Sequence, residues 1–354
     1  LLDAALEEGG AGLSTGLVYA PAMHAQPEEI QALAKVVARR GGIYATHMRS
    51  EGGTLLEAID EALDVARASG VRLQISHLKT AGRANWGKLD AALKKIRAAQ
   101  AAGIEVASDR YPYTASCTDL DVILPTWAAQ GGRATILARL RDPAERAKIR
   151  AEMAAARDEK YWENVWVGST RHPDNAPFAG KPLALAAEAW KLHPLDAALR
   201  FMATDELFTG GIFFGMSEDN MWKILAEPWV MIGSDASIRS PTGPLSHDHP
   251  HPRAYGTFGR FLRAALDGKT VSVGEAVRKM TSLPAEHFCL KDRGTIRVGA
   301  FADVVALDPR TFRDLATFEK PHQFCEGISA VWVNGTATLR DGKETGARDG
   351  RYLG

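Results

Sequence analysis

The chain has 354 residues, is 45% hydrophobic and carries a formal net charge of +0. That length suits one large globular domain, or one large and one small, with a sizeable core. The balanced charge gives no pull toward nucleic acid or an anionic membrane, and no stretch approaches the about 20 apolar residues of a membrane-crossing helix.

Three widely spaced cysteines, Cys117, Cys289 and Cys325, make no disulfide framework and point to a reducing, cytoplasmic compartment. The chain opens on "LLDAALEEGG", without methionine or leader, as if inside a helix that stops at Gly9-Gly10. The expectation is a chain that continues upstream.

The first half alternates between apolar runs and amphipathic segments. "GLSTGLVYA" (12–20) predicts a strand, and 27–40 a helix with Pro27 in its first turn and Gly41-Gly42 at its end. "GIYATHM" predicts the next strand, and 54–69 a helix stopped by Gly70. "VRLQISH" is followed by a helix over 87–103 and by the strand "IEVASDRYPY" (104–113). Nearly uninterrupted apolar strands suit a sheet covered by helices on both faces, and the repeat of 30 to 34 residues is that of a βα unit.

From 114 to 228 the pattern loosens. A charged surface helix is predicted over 141–162, a short strand over 165–170, and Ala-rich helices over 183–192 and 195–204. "WVMIGSDAS" (229–237) restores the earlier type, an apolar strand with Asp235 at its end. A Pro- and His-rich loop follows (240–253), then helices near 256–266 and 272–281. The tail, with Asn-Gly and Asp-Gly turns, predicts short β-hairpin strands in 294–309 and 328–342. The expected division is 1–290 for the main domain and 291–354 for a small β domain.

Parallel sheets bind ligands at the carboxyl ends of their strands. The polar residues expected there are Tyr19, His47, His77 with Lys79, Asp109 with Tyr111 and Tyr113, and Asp235. Two histidines and a carboxylate around one point suit Zn²⁺, which takes imidazole and carboxylate ligands and keeps a position open for water. A lone histidine after an apolar strand is more often structural; two in register, with Asp235, are what favour the metal. Lys79, a tyrosine and Arg253 beside a metal point to an anionic group on a small-molecule substrate, typically a carboxylate. His247, His249 and His251 fit a lid or a plain surface loop. Cys117 is expected in a loop. No phosphate-binding loop, dinucleotide fingerprint or serine-hydrolase elbow is present.

"GLSTGLVYAP", "THMRSE", "ISHLK", "DRYPYTAS", "GSDAS" and "HPHPRAYGTFGRFLR", in that order, resemble the D-aminoacylases (N-acyl-D-amino-acid deacylases) of the amidohydrolase superfamily. The resemblance runs through the tail and covers nearly the whole chain. It implies a (β/α)8 TIM barrel with a small β-sandwich domain, and zinc-dependent hydrolysis of N-acyl-D-amino acids. It implies His47, His77 and Asp235 as metal ligands, with Asp235 also the general base and then acid. Lys79, Tyr111 and Arg253 would hold the substrate's α-carboxylate, with Tyr19 lining the pocket.

The family's H-x-H pair at strand one and its cysteine ligand at strand three have no counterpart here. By strand count the chain would hold strands four to eight, too few to close a barrel. Two other readings stay open: a cyclic amidase like dihydroorotase or hydantoinase, disfavoured because strand four lacks a bridging lysine, and a non-catalytic barrel scaffold. Oligomeric state, acyl group and side-chain preference are left open.

Overall fold

The computed structural model describes residues 1–353. Its strands, in chain order, are β1 (Gly12–Gly16), β2 (Ile43–His47), β3 (Arg72–Ile75), β4 (Val106–Arg110), β5 (Ala115–Asp119), β6 (Val165–Val167), β7 (Gly210–Phe214), β8 (Val230–Ile232), β9 (Val304–Leu307), β10 (Ile328–Val333), β11 (Thr336–Arg340) and β12 (Lys343–Glu344). A five-stranded parallel sheet has the order β1-β2-β3-β4-β8. Two antiparallel sheets, β5-β7-β6 and β12-β11-β10-β9, accompany it.

The βα units form where the sequence alternation is strongest. The helix Pro27–Arg39 begins at a proline, carries Glu28 and Glu29 against its N-terminal dipole, and buries Ile30, Ala34 and Val37. These stand four and then three residues apart, one stripe of a helix. The helix Leu55–Ser69 buries Leu55, Ile59, Leu63 and Ala66 and ends at Gly70, whose φ of 71° suits a residue without Cβ. Each fully buried Leu or Ile of this core contributes about 1.5–3 kcal/mol. The helix Leu89–Ala101 covers β3 and β4 similarly, through Leu93 and Ile96.

β4 and β8 pair directly, Ser108 with Val230, although residues 111–229 separate them. That long excursion holds the β5-β7-β6 sheet and its own apolar core, centred on Leu140, Ile149, Trp162, Leu183 and Phe201. The sequence reading missed β5 ("ASCTD") and β7 ("GGIFF"), whose apolar alternation is too short to stand out. It also merged two helices: Pro143–Ala156 and Glu159–Glu163 are separate, because the Asp142 and Asp158 side chains each cap a new helix start. In the tail, 294–303 contains no strand, and the hairpins lie in β9–β12.

Candidate active site

The parallel strands deliver the predicted polar residues to one end of the sheet. His47 is the last residue of β2, while His77 and Lys79 follow β3, Tyr111 follows β4, and Asp235 lies three residues past β8. His77 and Asp235 both adopt left-handed backbone, φ 39° and 49°. Non-glycine residues in that region are strained, and such strain collects at functional sites. His77 is held there by its own N–H, which donates to Asp109 Oδ1 at 2.9 Å, while Gln74 Nε2 donates to the other oxygen at 2.6 Å. Asp109, expected at the strand end, therefore acts as a brace. Gly233 permits this closeness, because a Cβ there would sit 2.8 Å from Asp109 Oδ1.

The rings of His47 and His77 meet edge-on with centroids 4.4 Å apart, and Tyr19 packs on His47 at 5.0 Å. Burial pulls the His47 pKa down to about 4, so the ring is neutral at ordinary pH and offers a lone pair. The sequence reading overlooked Glu51. Its Oε1 lies 2.8 Å from His77 Nδ1, and the carboxylate also pairs with the Lys79 ammonium. Burial pushes the Glu51 carboxyl up, but Lys79, His77 and His47 together outweigh it and hold the group well below its usual range. Four residues past His47 in "THMRSE", Glu51 had no strand-end position to mark it.

One ligand atom each from His47, Glu51 and His77 falls within 4.8 Å of the others. Two imidazoles and a carboxylate form a donor set that suits zinc, so these residues fit a metal. His77 Nδ1 faces both Glu51 Oε1 at 2.8 Å and the Lys79 ammonium at 2.7 Å, and the tautomer whose Nδ1–H donates to Glu51 is the one that leaves Nε2 free as a ligand. Asp235, expected among the ligands, stands outside this group. Its Oδ1 is 4.0 Å from His77 Nε2, and its Oδ2 is 2.7 Å from Arg253 Nη1.

The expected carboxylate holders are gathered too, but with partners of their own. Lys79 is buried against Glu51, and Arg253 reaches Asp235 and donates to the Cys117 carbonyl at 3.1 Å. Tyr111 is fully buried beneath Arg253, whose guanidinium lies 4.7 Å from its ring centroid. Tyr19 Oη shares a hydrogen bond of 3.2 Å with Thr118 Oγ1 on β5. Cys117 lies in β5 opposite Ile212, not in a loop, because the β5-β7-β6 sheet recruits that segment.

The end of the Pro/His segment is tied to its surroundings by hydrogen bonds. The buried His251 ring donates from Nε2 to the Ala115 carbonyl at 3.0 Å and accepts the Arg253 N–H at Nδ1, 2.9 Å. His249 Nε2 donates to the Phe318 carbonyl at 2.6 Å. His247 alone is exposed. These rings pin backbone, and His251 fixes the first turn of the helix Arg253–Leu266 that carries Arg253.

The profile described as "Amidohydrolase family" matches residues 2–338. An N-acyl-D-glutamate deacylase of Alcaligenes xylosoxydans xylosoxydans is 37% identical over 355 residues, covering 100% of this chain and 62% of that protein. A D-aminoacylase of the same organism is 35% identical, covering 100% and 63%. Among solved structures, the N-acyl-D-glutamate deacylase of Bordetella bronchiseptica, complexed with zinc and a phosphonate mimic of the reaction's tetrahedral intermediate, superposes with a TM-score of 0.77 at 33% identity. That match covers 97% of this chain and 63% of the other. The chain thus spans somewhat under two thirds of the length of these relatives. With a family profile matched along nearly its whole length and an amidohydrolase-type α/β fold around the clustered strand-end residues, the chain belongs to the amidohydrolase family.

Proposed function

We propose that this site hydrolyses the amide bond of N-acyl-D-amino acids with the help of zinc, releasing the free D-amino acid. One observation carries the reading. A zinc-type donor set, His47, Glu51 and His77, lies beside the cationic pair Lys79 and Arg253 at the carboxyl ends of parallel strands. The names of the relatives support the D-configuration of the substrate. The absence of any lysine from β1 speaks against a cyclic amidase.

His47 and His77, with Glu51 or Asp235 completing the set, would hold the metal. A bound divalent cation supplies Lewis acidity, making water more acidic and a carbonyl more electrophilic. Asp235 stands at the mouth, a third exposed, where it can accept a proton from the attacking water and return it to the leaving amine nitrogen. Arg253, Lys79 and the Tyr111 hydroxyl hold the substrate's α-carboxylate, and Tyr19 lines the same pocket. Charge-assisted contacts of this kind fix the scissile bond against the base.

The same reading takes residues 1–290 as part of a (β/α)8 barrel and 291–354 as the C-terminal part of a small β domain. The parallel sheet of β1–β4 with β8 and the separate antiparallel sheet of β9–β12 support this division. Three free cysteines support a reducing, cytoplasmic setting. No helix among the described residues is long and apolar enough to cross a membrane.

The test is an assay of zinc-loaded protein on paired N-acetyl-D- and N-acetyl-L-amino acids. Zinc-dependent turnover of the D-series alone, abolished in Asp235→Asn and weakened in KM by Lys79→Ala, is expected. Bound zinc without turnover would discard the substrate and redirect the search to cyclic amides. A protein that binds no zinc would be a scaffold.

A further inference from the structure

Arg110 closes β4 and is 1% exposed. Its Nη2 donates to the Tyr113 carbonyl at 2.8 Å and to Met216 Sδ at 3.0 Å, while Nε and Nη1 are buried without a partner. No carboxylate pairs with it among the described residues, whereas Lys79 has Glu51 and Arg253 has Asp235. A buried, unpaired cation is costly, and its survival asks for a reason.

The surroundings supply one. The Arg110 guanidinium lies 4.2 Å from the Tyr111 ring centroid, and that of Arg253 lies 4.7 Å from the same ring. The Tyr111 hydroxyl is itself buried and makes no hydrogen bond. Arg253 Nη1, close to Asp235 by distance, is likewise poorly aligned for a hydrogen bond. Arg110 Nε and Nη1, the Tyr111 hydroxyl and Arg253 Nη1 are thus buried without hydrogen-bond partners around one ring. Two guanidiniums on one ring repel each other unless an anion joins them.

We propose that Arg110 is a positioning residue of the carboxylate pocket: it stacks on Tyr111, fixes the phenol for the incoming group, and supplies the uncompensated positive charge that a substrate carboxylate meets. This rests on the carboxylate-binding role given above to Tyr111 and Arg253. Arg110 never touches substrate and acts through Tyr111. Burial also pulls its guanidinium below the usual value, consistent with a charge kept in place without local compensation.

The experiment uses a probe that the reaction cannot consume, N-methanesulfonyl-D-alanine, and its primary carboxamide, each titrated calorimetrically into zinc-loaded protein. Arg110→Met and Arg110→Gln run in parallel, so that loss of folding in one, read from a melt, leaves the other. Each is expected to weaken the carboxylate probe by about tenfold or more while shifting the carboxamide less than about twofold; Arg110→Lys, which keeps the charge without the flat stack, should recover part of the loss. Equal weakening of both probes would reduce Arg110 to a packing role and overturn the inference, as would no change in either. Probe binding with the Arg110 contrast but no turnover of N-acyl-D-amino acids would sink the proposed reaction and uphold the role of Arg110. Turnover without the contrast would do the reverse.

Discussion

Two regions of this molecule are rich in histidine, and they use it in opposite ways. At the carboxyl ends of β2 and β3, His47 and His77 face each other across 4.4 Å with Glu51 alongside. In the segment 247–251, three histidines alternate along the chain, yet His249 and His251 are spent on the carbonyls of Phe318 and Ala115. Density of histidine in sequence is therefore a poor guide to a metal site. Position at the end of a parallel strand is a better one, because the sheet brings residues 30 apart to within a ring's width.

The comparison breaks most sharply at the metal. His47→Ala and His77→Ala should each remove bound zinc and lower kcat/KM by about a thousandfold or more, whereas His249→Ala should leave metal stoichiometry unchanged. Metal analysis of the purified variants decides it, and zinc retained by both strand-end variants would dissolve the distinction. Asp235→Asn should lower kcat by about a hundredfold or more with zinc still bound, since it removes the proton acceptor while keeping the shape. Loss of zinc in that variant would make Asp235 a ligand rather than a base alone.

Glu51→Gln is the next step down. It leaves Lys79 and His77 without their carboxylate and takes one donor from the His47, Glu51 and His77 set, so zinc affinity should fall by about 10- to 100-fold or more. A zinc titration against a chelator measures it. His251→Ala tests the other region. It strands the Ala115 carbonyl and the Arg253 N–H, at about 1–3 kcal/mol of stability, and should raise KM through the loosened Arg253. A variant with unchanged urea midpoint and KM would show that the latch does nothing.

Much of this was legible in the sequence, and the parts that were not have physical reasons. The βα units of the first 110 residues announce themselves through helix stripes and glycine stops, so the strand ends and the candidates on them follow. Glu51 escaped because it lies on a loop, where nothing in periodicity marks a side chain turned inward. The ion pairs that occupy Lys79 and Arg253 escaped because pairing is decided by tertiary closeness, not by spacing. Residues 114–228 escaped in part because β5 and β7 are short, and β5 carries Ser116, Cys117 and Thr118 rather than an apolar run. Nothing in the sequence marks Arg110, because burial without a carboxylate is invisible in a string of letters.

The smallest expected effect concerns acid stability and lies outside both regions. His287 ends the helix Ser282–His287, and burial, helped by the Arg72 guanidinium, lowers its pKa to about 4. Its Nε2 is buried with no hydrogen-bond partner. In the unfolded chain the ring titrates near about 6.5. The unfolded state therefore binds more protons between these values, and stability falls as pH drops. The contribution is complete above about 6.5 and is lost as pH falls through the folded value near 4. Glu51, with its pKa held low, adds a loss of the same sign that begins only below the unfolded carboxyl value of about 4.3. Urea midpoints of the wild type and of His287→Gln, taken between pH 7 and pH 4.5, should converge toward the acid end, with the variant showing the flatter slope. Parallel slopes would mean that the ring is open to protons in the folded state, and that its packing against Arg72 does not hold it neutral.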